Sequence, residues 1–401
     1  MLPKKPKNKQ NVYLDNAATT RIDRNIAKIM NSFIEDNFAN PSSIYTAGVK
    51  AKETLNGARE LIAENLKTNK NNIIFTGSGT ESNNLAIFGV VRKNFKKGEI
   101  ITTETEHHSV LEPIKKLEEI GFKIKYLPVD ENGLVNVKDL KKALNKNTAL
   151  VSVMYANNEI GTVQPIAEIG KAILRFRKQN KDSKVIFHTD ACQAVGALEL
   201  AVERLHVDLM TMNGSKIYGP KGVGILYKKK GLELEPLIYG GKQEMGLRAG
   251  TENTAGIVGI ALALDSANKN KEKNNKKIEK VRDYFWKEIK LKSENIKLNG
   301  VEFGEKRLVN NLNVSFEGLS GESLMFYLDQ YGVSCSTGSA CTSETEELSH
   351  VLRVCGYSKE RNLASVRFSL GKNTTKKEID YVMKFLPGIV ENLREVEKIQ
   401  K

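Results

Sequence analysis

The chain has 401 residues, with 62 lysines and arginines against 48 acidic residues, a formal net charge of +14 and four cysteines. That length exceeds one ordinary hydrophobic core and predicts two domains, while four unevenly placed cysteines exclude a disulfide framework and favour a reducing compartment. The basic residues are scattered, without aromatic interleaving or metal-ligand spacing, so neither direct nucleic-acid binding nor a metal site is expected.

The amino-terminal residues MLPKKPKNKQ carry charge but no apolar signal segment, and no later run is long enough to span a membrane. These features predict a cytoplasmic protein without a membrane partner. From residue 73 onward, short β-rich runs alternate with segments whose apolar residues recur near the helical period. The runs are NIIFT near 73, EIITTE near 99, KIKYLPV near 123, ALVSVMYA near 149, KVIFHTD near 184 and GVGILY near 222. This alternation predicts an α/β sheet with helical crossovers.

The pattern changes after residue 265. A long Lys-rich helix, interpreted as a solvated helix face, is followed by LVNNLNVSFEG, by a helix around ESLMFYLDQYG and by the strand ASVRFSL. We therefore expect a large α/β domain over residues 22–265. Residues 1–21 and 266–401 are expected to form a smaller α+β domain that carries a mobile cysteine loop at about 333–347.

Two loops in the predicted large domain have the composition of binding loops. In FTGSGTESNNLAI, Gly77 and Gly79 allow close backbone approach, and Thr80 is predicted to open a helix whose free N–H groups suit a phosphate. A plain turn with Thr80 as the N-cap is the alternative. In TETEHHSVLEP, His107 is predicted to end a strand, where it could lie over an aromatic ring or transfer protons. A structural histidine is the alternative there.

The segments HTDACQAVG and NGSKIYGPKG supply an acid, a hydrogen-bond donor and an amine, which are Asp190, Gln193 and Lys216. Lysine can form a Schiff base with an aldehyde, and a carboxylate facing a pyridine nitrogen keeps that ring protonated. The trio therefore favours pyridoxal 5'-phosphate as the cofactor. The alternative is that Asp190 is an ordinary buried aspartate and Lys216 an ordinary surface lysine.

The chain resembles the cysteine desulfurases of the NifS/IscS kind, which are fold-type I pyridoxal-phosphate enzymes of the class V aminotransferase family. The resemblance runs almost from end to end, through YLDNAATT, NPSSIYTAG, FTGSGTESNN, YANNEIGTVQPI, HTDACQAVG, SKIYGPKGVG, GGKQEMGLRAGTEN, STGSACTS and SVRFSLG. It implies a large domain with a mainly parallel seven-stranded sheet and a smaller α+β domain. It also implies a homodimer that converts L-cysteine to L-alanine and transfers the sulfur.

The resemblance assigns roles around the cofactor. Lys216 would bind it covalently and move protons, Asp190 would pair with its pyridine nitrogen, and His107 would stack on its ring and assist proton transfer. Gln193 and Asn158 would bond the ring hydroxyl and the substrate side. The phosphate would be held by Gly79, Thr80, Asn213, Ser215 and, from the other subunit, Thr251.

For the substrate, the resemblance implies that Arg367 binds the amino-acid carboxylate, assisted by Asn158. Cys341 in STGSACTS would be the nucleophile that takes the sulfur as a persulfide and passes it to an iron–sulfur scaffold protein or a tRNA-thiolating enzyme. An inert buried thiol is the alternative for Cys341. Cys335 is interpreted as a bystander in a flexible loop, with a resolving thiol as the alternative.

The chain departs from the family pattern just before the lysine. The family usually has Ser-x-His-Lys where this chain has Asn213, Gly214, Ser215 and Lys216, so a possible imidazolium charge near the phosphate is missing. Tyr45 stands where a histidine is common. Two alternatives to a working desulfurase follow: a selenocysteine lyase or other class V lyase, and a catalytically weak partner in sulfur-carrier assembly.

Overall fold

The computed structural model describes residues 3–6, 8–338 and 348–399. Cys341, the predicted nucleophile, lies outside the described residues. In chain order the strands are β1 (Val12–Tyr13), β2 (Ile73–Thr76), β3 (Glu99–Thr103), β4 (Lys123–Leu127), β5 (Thr148–Ser152), β6 (Ile186–Asp190), β7 (Leu209–Asn213), β8 (Gly224–Lys228), β9 (Ile296–Leu298), β10 (Asn311–Phe316), β11 (Val333–Ser334) and β12 (Ser365–Ser369).

The helices flank these strands on both sides of the main sheet and cover the smaller ones. They are α1 (Arg24–Asp36), α2 (Thr46–Leu66), α3 (Gly79–Asn94), α4 (His108–Glu119), α5 (Val137–Ala143), α6 (Ile166–Gln179), α7 (Val202–Leu205), α8 (Thr254–Lys269), α9 (Lys271–Lys292), α10 (Gly321–Gln330), α11 (His350–Val354), α12 (Lys359–Leu363), α13 (Lys376–Met383) and α14 (Leu386–Ile399). Short 3₁₀ turns occupy Lys70–Asn72 and Gln243–Gly246.

The main sheet of the described chain has seven strands in the order β2-β8-β7-β6-β5-β3-β4. Only β8 runs against its two neighbours, and the other pairings in this sheet are parallel. The sequence prediction of an α/β fold with a mainly parallel seven-stranded sheet is confirmed. Strand β7, with the sequence LMTMN, escaped the sequence analysis because two methionines and an asparagine give it little intrinsic strand preference.

Both faces of this sheet are buried, which explains the nearly continuous apolar runs of its strands. Alternate residues of one strand pack into different layers: Leu150 joins the cluster on one face and Val151 the cluster on the other. The parallel strands all end at the same edge, so the loops that follow them converge there. Open α/β sheets bind their ligands at that edge.

A second apolar cluster is built around the antiparallel sheet β12-β10-β9 and the parallel pair β1-β11. It takes Leu14 from the amino-terminal part of the chain and Ile278, Phe285 and Phe316 from the carboxyl-terminal part. The predicted domain boundary at residue 265 falls inside α8, whose Leu264 packs in the large cluster of the main sheet. The two units are therefore linked through α8 and α9.

The range predicted as a mobile cysteine loop, about 333–347, begins differently in the structure. Residues Val333 and Ser334 form β11, paired with β1, and the next residue, Cys335, is buried in the core of the smaller unit. Burial raises the pKa of the Cys335 thiol. The placement of Cys335 in a flexible loop is wrong, because strand pairing with the distant residues 12–13 draws this part of the chain into the core, whereas a bystander role agrees with its buried thiol.

The Lys-rich segment after residue 265 forms α9, which places Ile278, Arg282, Phe285 and Ile289 inward at helical spacing. Its lysines point largely to solvent, as expected for a solvated helix face. Among the helices of the described residues, none combines the length and apolar character needed to cross a membrane.

Candidate active site

A cavity of about 260 Å³ lies at the carboxyl-terminal edge of the main sheet. Loops after β2, β3, β5, β6 and β7 contribute its walls, and β12 of the smaller unit closes one side. The structure brings together in this cavity all the sequence-predicted site residues except two: Gly79, Thr80, His107, Asn158, Asp190, Gln193, Asn213, Ser215, Lys216 and Arg367. Of the exceptions, Thr251 is exposed and lines no part of this cavity, and Cys341 is not described.

Asp190 is the last residue of β6, and only 7 % of it is exposed. Its Oδ2 accepts a hydrogen bond from Asn83 Nδ2 at 2.7 Å, and its Oδ1 accepts one from the backbone N–H of Cys192 at 2.9 Å. A carboxylate is buried at tolerable cost only when donors replace its water. Asn83 was missed by the sequence analysis, although it lies in the quoted segment FTGSGTESNN.

His107 is the N-cap of α4, four residues beyond the true end of β3 at Thr103, so the prediction that it ends a strand is wrong. Its Nδ1 accepts the backbone N–H of Ser109 at 3.0 Å and lies 2.8 Å from Ser109 Oγ. A backbone N–H can only donate, so Nδ1 carries no proton and the neutral ring has its hydrogen on Nε2. Burial lowers the pKa of His107, although the charge of Asp190 opposes this effect.

The loop after β2 leads directly into α3, which begins at Gly79. Ser78, not Thr80, is the N-cap, because Ser78 Oγ accepts the N–H of Glu81 at 3.0 Å. A side chain at position 79 would bring Cβ within 2.9 Å of Cys192 Sγ, so this close approach requires glycine. Thr80 lies in the first turn, where unpaired N–H groups and the helix dipole favour an anion.

Lys216 follows β7 and extends its Nζ to the backbone carbonyl of Ala18, to which it donates a hydrogen bond. Gln193 Nε2 donates to the neighbouring carbonyl of Ala17 at 2.9 Å. The segment YLDNAATT thus forms part of the cavity wall through its main chain, a role that its small side chains did not reveal. Ser215 Oγ donates to Asn213 Oδ1 at 3.4 Å, a long contact.

Arg367 projects from β12 and is almost fully buried, with 1 % of its surface exposed. Its Nη2 pairs with Asp15 Oδ1 at 2.7 Å, and its Nη1 donates to the carbonyl of Asn158 at 2.9 Å. Its Nε has no hydrogen-bond partner among the described residues. A guanidinium has five N–H groups, so these two bonds leave donors for a ligand carboxylate.

Glu106 lies next to His107, beneath the cavity, and is fully buried. Its Oε1 accepts hydrogen bonds from the Met154 N–H at 2.8 Å and from Thr103 Oγ1 at 2.9 Å, whereas its Oε2 has no partner within the described part of the chain. Burial, reinforced by the nearby charge of Asp190, raises the pKa of Glu106 to about 8. Glu106 therefore carries a proton at neutral pH, and it ties the end of β3 to the loop after β5.

Two cysteines near the site are poor nucleophiles. Burial, followed by the charge of Asp190, raises the pKa of Cys192 well above its ordinary value. Cys355 packs with Ile160, Val351 and Leu352, and burial raises its pKa to about 12. Since the thiolate is the reactive form, both residues fit the structural role expected for them.

The comparison with protein families matches residues 12–382 to the family described as "Aminotransferase class-V". Among curated proteins, the cysteine desulfurase IscS of Clostridium botulinum is 46 % identical over 390 residues, covering 97 % of this chain and 96 % of the relative.

Solved structures give the same picture. A "NifS-like protein" superimposes with a TM-score of 0.88 at 37 % identity, covering 96 % of this chain and all (100 %) of the other. A structure titled "SspA in complex with cysteine" gives a TM-score of 0.78 at 34 % identity, covering 91 % of this chain and 100 % of the other.

We predict that Glu106→Gln changes the pH dependence of folding stability. The pKa of Glu106 is about 8 in the fold, against 4.5 for an ordinary glutamate, so its stabilising contribution is fully present below pH 4.5 and is lost as the pH rises through about 8. Glutamine keeps a neutral acceptor. The free energy of unfolding of Glu106→Gln minus that of wild type should therefore increase by on the order of a few kcal/mol between pH 5 and pH 8.5.

Urea unfolding of both proteins at several pH values measures this difference. Glu112→Gln is the matched control, because Glu112 is exposed on α4 and its pKa is lowered, chiefly by its hydrogen bond to Lys115. The control should show no such growth over this pH range. A pH-independent difference between wild type and Glu106→Gln would contradict a neutral Glu106.

Proposed function

The chain belongs to the aminotransferase class-V family and is a cysteine desulfurase, and from this we propose that its cavity binds pyridoxal 5'-phosphate through the residues described above. The observation that carries the proposal is the buried carboxylate of Asp190, held by Asn83 and the N–H of Cys192 in the same cavity as the amine of Lys216. A buried acid on one side and an amine within the same cavity fit the two ends of a protonated pyridine aldehyde.

The phosphate end of the cavity also fits. Gly79 and Thr80 lie in the first turn of α3, where N–H groups have no intrahelical partner, and Asn213 and Ser215 line the same cavity. A Cβ at position 79 would also come within 3.1 Å of Asn213 Nδ2, so the glycine allows a close approach of main chain and side chain there. We assign these residues to the phosphate.

The remaining polar residues would orient the ring. Asp190 would keep the ring nitrogen protonated, His107 would face the ring, and Gln193 and Asn158 would bond its polar substituents. Bound pyridoxal phosphate supplies an aldehyde that takes up an amino group and a ring that accepts electrons from Cα. The chain supplies the geometry, the protons and the exclusion of water.

We propose L-cysteine as the substrate, with support from the related structure determined with cysteine. Arg367 would bind the substrate carboxylate with its remaining N–H groups, and its buried ion pair with Asp15 would hold the guanidinium in place. Lys216 would take the proton from Cα and return protons to carbon. His107, neutral and with its hydrogen on Nε2, would assist proton transfer on the cavity side of its ring.

Cys341 would then attack the substrate sulfur. An S–S bond forms to Cys341 Sγ, the Cβ–S bond breaks, and its electron pair stays with Cβ, which gains a proton to become the methyl group of alanine. The carbon is reduced and the two thiols are oxidised to a persulfide, so no external oxidant is needed. The passage of this sulfur to an iron–sulfur scaffold protein or a tRNA-thiolating enzyme stays a prediction.

We also propose a homodimer. The described surface exposes an apolar group that includes Ile44 (96 % exposed) and Phe38 (84 % exposed), together with Tyr239 and Met245. Residues 41–42 and 242–245 line one cleft that also includes Glu252. The segment with Phe38 and Ile44 therefore lies near the segment with Tyr239 and Met245, and both are close to Thr251. Exposed apolar patches of this kind mark interaction sites. A two-fold partner covering this face would present its Thr251 to a cavity that the chain's own Thr251 does not reach.

The central test is the loaded enzyme with L-cysteine. We expect alanine and a persulfide on the protein, and we expect Cys341→Ala to abolish the persulfide while retaining the visible absorbance change on adding cysteine. Cys192→Ala is the matched control and should keep persulfide formation, because the buried thiol of Cys192 has a raised pKa. Undiminished sulfur release by Cys341→Ala would show that another group accepts the sulfur.

For the dimer, Ile44→Asp should yield monomers in sedimentation experiments, since a charge would be buried in the interface. Loss of the partner's Thr251 should also weaken pyridoxal-phosphate binding. Leu291→Asp, which changes an exposed leucine on α9, is the control and should sediment with the mass of a dimer. Dimeric Ile44→Asp would contradict this interface.

For the phosphate end, Ser215→His should tighten pyridoxal-phosphate binding to the apoprotein by about 1 kcal/mol, roughly fivefold, because a charge-assisted hydrogen bond replaces a neutral one. Absorbance titration of the apoprotein measures the change. Ser215→Gln adds similar bulk without charge and should not tighten binding. Equal affinities for the two variants would contradict a role of position 215 in binding the phosphate charge.

A further inference from the structure

Glu159 directly follows the cavity residue Asn158 and is buried, with 1 % of its surface exposed. Its Oε2 accepts a hydrogen bond from Ser349 Oγ at 2.5 Å. Ser349 is the N-cap of α11, and its Oγ also accepts the N–H of Leu352 at 3.1 Å. One hydroxyl group thus links the start of α11 to a buried carboxyl group beside the cavity.

The same carboxyl oxygen also meets the chain on the other side of residues 339–347. A Cβ built on Gly338 would lie 3.3 Å from Glu159 Oε2 and 3.6 Å from the Cβ of Ser349. Gly338 has a φ of +105°, a conformation that favours glycine. Gly338 and Ser349 are therefore close neighbours beside Glu159, and Ser349 bonds to it directly.

The main chain around Glu159 is fixed on the opposite side. Its carbonyl accepts hydrogen bonds from the side-chain amides of Asn311 at 2.9 Å and Asn313 at 3.0 Å, both on β10. The preceding carbonyl, that of Asn158, accepts from Arg367 at 2.9 Å. Glu159 thus has a set position relative to the cavity and to the residue that we assign to the substrate carboxylate.

A second contact strengthens this link. His350, the first residue of α11, donates from Nε2 to the carbonyl of Glu106 at 3.0 Å, next to His107. The ring of His350 also packs on that of His108 at a centroid distance of 4.8 Å. The chain that follows residues 339–347 is therefore tied to Glu159 and to Glu106, which are the chain neighbours of the cavity residues Asn158 and His107.

We propose that Glu159 is a positioning residue for sulfur transfer: its bond to Ser349 fixes the start of α11 beside the cavity, and persulfide formation on Cys341 depends on this contact. The proposal rests on the proposed function of Cys341. Glu159 does not contact the cofactor or the substrate in this assignment. Its loss should slow persulfide formation and leave the earlier binding of cysteine nearly unchanged.

The test uses full-length holoenzyme at pH 8 and changes only the partner of Glu159. Ser349→Asp keeps an N-cap for α11 but places a second carboxylate against Glu159, whereas Ser349→Thr keeps both the cap and the hydroxyl donor. Ser358→Ala is the matched control, because it removes the N-cap bond of the next helix, α12, without touching Glu159.

In a single turnover, two quantities are measured: the rate of the absorbance change on adding L-cysteine, and the rate of persulfide appearance on Cys341 by alkylation and mass spectrometry. We expect Ser349→Asp to lower persulfide formation by about tenfold or more, since small misplacements of a reacting group are costly. The absorbance change should stay within about twofold, and Ser349→Thr and Ser358→Ala should resemble wild type in both measurements.

Other outcomes overturn the inference in distinguishable ways. Wild-type persulfide formation by Ser349→Asp, with none by Cys341→Ala, would refute positioning through Glu159 and leave the proposed function intact. Equal losses of the absorbance change and of persulfide formation would mean that the contact maintains the fold in general. Slow persulfide formation by Ser349→Thr would mean that the hydroxyl bond to Glu159 does not by itself maintain the rate. Undiminished sulfur release by Cys341→Ala would refute the proposed role of Cys341 itself.

Discussion

The burial of Asp190 at the end of β6 is the constraint around which the cavity is organised. A carboxylate with 7 % exposure needs donors, and it obtains them from Asn83 on α3 and from the main chain at Cys192. Asn83 also donates to Ser109 Oγ at 2.8 Å, which in turn contacts His107. One acid therefore fixes the relative positions of α3, the loop after β6 and the start of α4.

The charge of Asp190 also governs its titratable neighbours. It raises the pKa of Cys192 and of Glu106 in addition to the effect of burial, so both stay protonated, while burial keeps His107 neutral. Glu106, Cys192 and His107 are thus uncharged neighbours of the Asp190 carboxylate. Burial of Asp190 would strengthen its interaction with the protonated ring of the proposed cofactor.

Local sequence predicted much of this arrangement and missed parts of it for identifiable reasons. The loop FTGSGTESNN indicated a helix N-terminus, yet Ser78 rather than Thr80 is the cap, because either hydroxyl satisfies the pattern and only backbone geometry distinguishes them. His107 was expected at a strand end and instead caps α4. Cys335 was expected in a loop, but β1 pairs with β11 across more than 300 residues of sequence and buries it.

The sequence by itself identified the family through the order of its motifs, and Lys216, Asp190 and Arg367 within them predicted the chemistry and the pyridoxal-phosphate cofactor. It also predicted the parallel sheet, because apolar runs of strand length alternating with helical periods permit few other folds. The tertiary structure alone decided which groups are charged and which segments meet. The neutral Glu106 and the contact of Glu159 with Ser349 depend on burial and on approach between distant residues, and no local pattern encodes either.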